Sequence, residues 1–229
     1  SLLGIGAIVI NIQEWWTIDN HKFLATYWII VCTLSCYAKN TLYYLKKNAQ
    51  MLIGLCFLFA ASWKLLGGEY LNGKFFYYEY LLDTRFHDFI VYWTNLTSEE
   101  LNANYSLLNE MEQRPHLFTE YQLINGSPIV YKLSLLTSYW TIFIEGLVAF
   151  LFLLPSKIRL ARYRDFALIT FIISTYSIVN VQGFNYILVL MGMSQQKFYS
   201  RKLFALYLCV LCWSELIGIN WSLFLSQFV

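Results

Sequence analysis

The stretch Met51–Gly67, MLIGLCFLFAASWKLLG, is apolar throughout except for polar Ser62 and charged Lys64 near its end. Such a run belongs in a hydrocarbon phase, because a helix needs about 20 residues to cross about 30 Å of lipid. Comparable runs recur at Leu2–Trp16, Phe23–Ala38, Leu133–Leu154, Phe166–Met191 and Leu203–Leu223. Backbone groups in lipid must be satisfied within their own segment, so the expected fold is all-α, a polytopic transmembrane helical bundle of about six spans. Composition agrees: of 229 residues, 58% are apolar, 19% aromatic and 13% charged, against about 25% charged in an average soluble domain. The same figures exclude a disordered chain, a coiled coil, a collagen-like fibre and a small disulfide scaffold. No repeat or low-complexity linker interrupts the chain, which reads as one membrane domain. Leu2–Trp16 is short for a crossing, so the sequence reads as opening inside its first helix.

Loop charges orient the bundle. Lys39, Lys46 and Lys47 follow the second span, and Lys157, Arg159, Arg162 and Arg164 follow the fourth. The positive-inside rule places loops 39–50 and 155–165 on the cytoplasmic or matrix side. The segment 68–131 between them is rich in carboxylates and is expected on the opposite side. Lys197, Arg201 and Lys202 follow the fifth span and conflict with this scheme. Either the fifth segment is not a simple crossing or the rule fails there. Net charge is +2 with no long Lys/Arg run, so nucleic acid is not an expected partner.

The segment 68–131 has order of its own. Thr97 and Glu100 have capping-box spacing, and Leu101, Tyr105, Leu108 and Met111 follow at helical intervals. An amphipathic helix is expected over Ser98–Glu112, ending before Pro115. Upstream, Phe75–Leu82 is too short to span and too aromatic for a solvated loop, which suits an interfacial or re-entrant stretch.

Polar residues inside spans are costly and normally face protein. Glu145 and Glu215 are each the thirteenth residue of their runs. With both helices directed inward, the two carboxyls sit at matching depth, about 18 Å below the outer end. They can share a proton, bind a polar ligand head, or simply be neutral and hydrogen-bonded to neighbouring helices. Ser174, Thr175, Ser177, Asn180, Gln182 and Asn185 cluster in the middle of the fifth span. That pattern fits either a broken helix lining a ligand cavity or plain interhelical hydrogen bonding. Cys209 and Cys212 have the CxxC spacing of redox proteins, but within an apolar helix a Cys ordinarily packs as a small hydrophobe. His21, His87 and His116 lack helical pairing, so no metal site is expected.

Lys64 lies at the outer end of its span, directly after the small residues Ala60, Ala61 and Ser62. It can snorkel to the head groups or be held against protein, where desolvation makes a lysine a base. Gly67, Gly68 and Gly73 then let the chain fold back toward Tyr70, Phe75 and Phe76, rings suited to a flat apolar ligand. At about 5 Å depth, Lys64 is too far from Glu145 or Glu215 for a direct ion pair.

The stretch 51–86 resembles the membrane part of the HTTM family, which includes vitamin K-dependent γ-carboxylases. The family's apolar helix ends in Ala-Gly-x-x-Lys-Leu, then an aromatic residue and a Gly. Ala60-Ala61-Ser62-Trp63-Lys64-Leu65 and Tyr70-Leu71-Asn72-Gly73 correspond here, with Ala61 in place of Gly, Tyr70 in place of Trp and one residue inserted before Gly73. The resemblance implies that Lys64 is a catalytic base and that a quinone is the cofactor or ligand, which Tyr70, Phe75 and Phe76 are expected to border because their rings suit a flat head. Nothing matches the family's large lumenal domain, so γ-carboxylation itself is not expected. DoxX/MauE-like redox proteins have a similar helix end, which implies a thiol role for Cys209 and Cys212.

Three readings stand at this point: a quinone- or lipid-binding membrane protein, a non-catalytic subunit packed among other membrane subunits, and a thiol-redox component. The lipid bilayer is a partner in all three.

Overall fold

The computed structural model describes residues 2–13, 20–113, 126–179, 181–195 and 201–218. Among them all regular structure is helical, with no strand. The helices are α1 (Leu2–Gln13), α2 (Asn20–Cys36), α3 (Thr41–Gly67), α4 (Lys74–Leu82), α5 (His87–Trp93), α6 (Ser98–Gln113), α7 (Pro128–Leu153), α8 (Arg164–Tyr176), α9 (Gln182–Ser194) and α10 (Arg201–Gly218). Short 3-10 turns at Thr84–Phe86 and Arg159–Tyr163 lead into α5 and α8. Two helices, α3 and α7, are long and apolar enough to cross a membrane.

The chain divides into two compact units, Ala60–Ile144 and the remainder, with the division falling inside α3 and α7. In the unit Ala60–Ile144, α4, α5 and α6 pack on one another. Tyr80 is fully buried at their centre, with the rings of Phe76, Phe86 and Phe89 at 5.7, 5.2 and 5.7 Å. Its hydroxyl donates to Thr137 Oγ1 on α7 at 2.6 Å, and the Thr137 hydroxyl donates to the Leu133 carbonyl at 3.0 Å. Burial pushes the Tyr80 hydroxyl up to about 12, with the Thr137 bond acting in the opposite sense. A buried phenol needs such a partner, since an unmet hydroxyl costs about 1–3 kcal/mol. The amphipathic helix of the segment is α6, closed by a reciprocal capping box: Thr97 N–H donates to Glu100 Oε2 at 2.8 Å, and Glu100 N–H to Thr97 Oγ1 at 3.3 Å.

The other unit holds α1, α2 and α8–α10 with the flanking parts of α3 and α7. The apolar run 166–191 is two helices, not one. α8 ends at Tyr176 and α9 begins at Gln182, and at the end of α8 Ser174 and Ser177 turn their hydroxyls onto the carbonyls of Phe171 and Ile173, at 3.2 and 2.8 Å. That local bonding competes with the helix ladder, and β-branched Val179 and Val181 add little helical propensity. Phe171 of α8 and Phe184 of α9 then meet, their ring centroids 6.4 Å apart, and both lie against Phe57 of α3. α9 and α10 run antiparallel in a strict register. Gly192 lies under Tyr207, and seven residues back along α9, Asn185 bonds Ser214, seven residues on along α10. A Cβ at Gly192 would come within 2.5 Å of the Tyr207 ring, so the register requires glycine there.

The loop between α3 and α4 is held from α7. Tyr131 and Tyr139 donate to the carbonyls of Asn72 and Leu71 at 3.3 and 3.1 Å. Gly68 and Gly73 both have left-handed backbones, φ 70° and 72°, which only glycine adopts without cost. Gly68 faces open space, whereas a Cβ on Gly73 would also press on Leu135 at 2.9 Å and Ser134 Oγ at 3.1 Å. Gly68→Ala is therefore expected to lose only the left-handed penalty of about 1–2 kcal/mol, and Gly73→Ala distinctly more. Thermal unfolding of the two variants in detergent checks the order; equal midpoints would remove the packing argument.

Candidate functional site

Lys64 lies in the last turn of α3, with its Nζ 5.3 Å from the centre of the Tyr70 ring. That distance is within reach of a cation–π contact. Tyr70 stacks on Phe75 at 4.2 Å with the planes 18° apart, and Phe76 meets both rings edge-on at 5.9 and 5.4 Å. The fold thus brings Lys64, Tyr70, Phe75 and Phe76 into one cluster. Its geometry follows from the held loop: the left-handed Gly73 starts α4 and directs Phe75 and Phe76 back toward Tyr70.

Along the same helix, α4 carries a second group. Glu79 hydrogen-bonds Asp83, and Asp83 is gripped by Arg85, whose Nε donates at 2.8 Å and whose backbone N–H donates at 2.9 Å. These residues border a cavity of about 520 Å³ that Tyr78, Tyr105 and Leu108 complete. Partial burial pushes the Glu79 carboxyl up, and the Asp83 charge pushes it further against the pull of Arg85. Burial opposes ionisation of Asp83 too, but the bonds from Arg85 outweigh it and hold this carboxyl below the usual range.

The polar residues of the apolar segments fall into the other unit. Asn185 is fully buried and donates through Nδ2 to Ser214 Oγ, while its neighbour Tyr186 hydrogen-bonds Glu215. Two adjacent residues of α9 thus engage two adjacent residues of α10. Glu145, on α7, is buried, at 6% exposure. Asn180 and the side chain of Gln182 lie outside the described residues. Cys209 and Cys212 are free thiols exposed along α10.

Arg164, the first residue of α8, donates to the Leu154 carbonyl at the end of α7, and the next residue, Asp165, accepts from the Tyr207 hydroxyl of α10 at 2.9 Å. The end of α7, the start of α8 and the second turn of α10 are thereby tied together at one corner. Counted from that corner at 1.5 Å per residue, Glu145 and Glu215 lie about 13 Å and about 12 Å along their helices.

Along the chain, Lys46, Lys157, Arg159, Arg162 and Arg164 are loop charges at separate positions. The fold gathers them round one cavity of about 390 Å³, together with Gln50 and Gln195. The available signal was the charge of Arg201 and Lys202, which conflicts with a simple alternation of sides.

Compared with known proteins, the chain finds no match: no family model, no curated protein and no solved structure is similar to it.

The Glu79–Asp83 pair makes a signed prediction. Glu79 keeps its proton in the fold over a range where the unfolded chain has lost it. Its contribution is complete below the ordinary glutamate range and is lost as pH rises through the raised value. Asp83 works the other way, its contribution present above the ordinary aspartate range and lost as pH falls through the depressed value. Glu79→Gln preserves a donor toward Asp83 and cannot ionise. The variant's melting temperature should therefore fall less than the parent's as pH rises from the ordinary glutamate range toward neutrality. Parallel melting profiles would mean that Glu79 is ionised in both states.

Proposed function

We propose that the chain is an integral membrane protein in which α1, α2, α3, α7 and α10 cross the bilayer and α8–α9 enters and returns to the same face, about five crossings in all. The lipid setting is supported by the outward faces of the two long apolar helices. Only 33% of the most apolar part of α3 and 44% of that of α7 is buried. Trp63, Leu66 and Leu136 are 75%, 83% and 67% exposed, whereas a core helix of a soluble protein turns such residues inward. The return of α8–α9 is supported by the cavity wall, where Gln195 at the end of α9 stands beside Arg164 and Asp165 at the start of α8. This arrangement puts 39–50, 155–165 and the start of α10 on the cytoplasmic or matrix side, with 68–131 opposite. The positive charge of Arg201 and Lys202 then obeys the rule it otherwise breaks.

Single cysteines at Lys47, Asn102 and Lys202, introduced into a variant without the five native thiols, test the arrangement by labelling with an impermeant maleimide. Lys47→Cys and Lys202→Cys should react from one side and Asn102→Cys from the other. Reaction of Lys202→Cys together with Asn102→Cys would restore a simple crossing at 166–191.

Within that frame, the reading we favour is a binding site for a flat apolar ligand, a quinone or a lipid, at Lys64, Tyr70, Phe75 and Phe76. The observation that carries it is an ammonium group placed over a stacked pair of rings at the end of a long apolar helix. Such a site offers a quinone a ring face and a hydrogen-bond donor to its carbonyl. The HTTM resemblance gives Lys64 the further role of base. Decylubiquinone should quench the tryptophan fluorescence of the purified protein saturably, and Lys64→Ala should weaken binding by about tenfold, as loss of one charged donor implies. Unchanged affinity in Lys64→Ala would end the quinone reading.

A second reading, a structural subunit of a larger membrane complex, is favoured by the use of Asn185, Ser214, Tyr186 and Glu215 for helix pairing. Native mass measurement of the detergent-extracted protein distinguishes it, since co-purifying subunits are expected only on this reading.

A further inference from the structure

The cavity at the shared end of α3, α7, α8 and α9 has a composition that loop charge alone does not explain. Lys46, Lys157, Arg159, Arg162 and Arg164 border it, against the single carboxylate of Asp165, which is already engaged by the Tyr207 hydroxyl. Five cationic residues bordering about 390 Å³ give it a positive potential that favours a bound anion, although Lys157, Arg159 and Arg162 are exposed and Arg162 also rests on Tyr163. One of them is deeply placed. Arg164 is 5% exposed, its Nε donates to the Ala161 carbonyl at 2.9 Å, and its guanidinium lies over the Phe152 ring at 5.9 Å. Burial works against its charge, with Asp165 opposing. Backbone carbonyls occupy part of the guanidinium fork, and a buried cation of this kind is stabilised by a bound oxyanion.

A second observation points to the rest of the ligand. Gln195 is 3% exposed; its amide nitrogen donates to the Met191 carbonyl at 3.1 Å, and its Oε1 has no hydrogen-bond partner among the described residues. A buried acceptor left unmet costs about 1–3 kcal/mol, so a molecule in this cavity gains by presenting an O–H or N–H to it. The volume is that of a small polar head rather than of a chain or a fold.

We infer that the cavity binds a phosphate ester carrying a nearby hydrogen-bond donor, with the cations holding the phosphate and Gln195 Oε1 accepting from a hydroxyl or ammonium. The headgroup of an anionic phospholipid has this chemistry, and so has a soluble phosphate ester. The lipid source rests on the membrane reading above, because Lys46 lies only five residues before the apolar run that begins at Met51 and so stands at headgroup level. The phosphate chemistry does not rest on it.

The test uses the full chain in dodecyl maltoside, with thermal unfolding followed during titration with dioleoyl phosphatidylglycerol, dioleoyl phosphatidylcholine or glycerol 3-phosphate. Phosphatidylglycerol should raise the midpoint saturably and phosphatidylcholine should not. Lys157 and Arg159 are both exposed, so Lys157→Gln/Arg159→Gln leaves packing intact and should weaken the effect by about tenfold or more, as removal of two interfacial cations implies. Gln195→Leu should abolish the preference for phosphatidylglycerol over phosphatidic acid, which lacks the hydroxyl-bearing head. Saturation by glycerol 3-phosphate, with no further gain from the lipid, keeps the site and assigns it a soluble ligand. An equal response to phosphatidylcholine, or undiminished binding in the double variant, overturns it. None of these outcomes depends on the labelling pattern, so the cavity and the topology stand or fall separately.

Discussion

The hydrogen bond from the Tyr207 hydroxyl to Asp165 joins the first turn of α8 to the second turn of α10, and much of the larger unit is arranged around it. It holds a carboxylate where cations gather, and it brings Tyr207 over Gly192, where no side chain could fit. From that point the antiparallel register of α9 and α10 carries Asn185 to Ser214 two turns further on. Arg164, one residue before Asp165, ties the same corner to the end of α7. A single polar knot at one end of the apolar helices therefore accompanies the register of α9 and α10 and lies beside the basic cavity.

The unit Ala60–Ile144 solves a different problem. Its helices are short, α4 and α5 having 9 and 7 residues, and helices of that length do not persist alone in water. They are stabilised by burying large aromatic surface against one another, and Tyr80 supplies the hub. Its phenol bonds to Thr137, so the ring cluster is aligned with α7 rather than merely collapsed on it. The same α7 positions Tyr131 and Tyr139 on the loop that presents Tyr70, and through Tyr70 the ammonium of Lys64 is given its place.

Polar groups in apolar helices serve two ends here. Asn185 donates to Ser214 and Tyr186 bonds Glu215 across a helix pair, which helps keep an amide and a carboxyl within a dry phase, although Asn185 Oδ1 and Glu215 Oε1 have no hydrogen-bond partner among the described residues. Gln195 likewise has its amide nitrogen met by the Met191 carbonyl and its Oε1 unpartnered among the described residues, and it differs in bordering the cavity lined with cations.

Much of this was legible along the chain. Helical content, the two long apolar helices, the capping box of Thr97 and Glu100, and the grouping of Lys64 with nearby rings all depend on neighbours within a few residues, so local periodicity and spacing carry them. The end of α8 was only half legible: hydroxyls and Asn180 signalled a break, but hydrophobicity resumes beyond it, and a run of apolar residues does not record whether the chain crosses or turns back. The bond from Tyr80 to Thr137 joins residues 57 positions apart, and the basic cavity draws on four separate helix ends. Sequence by itself determined the all-helical character of the chain and the location of its charges, because those follow from burial cost and local hydrogen bonding. Only tertiary structure decided that five cations and a half-satisfied glutamine share one cavity, because a converging charge cluster is a property of how helix ends meet.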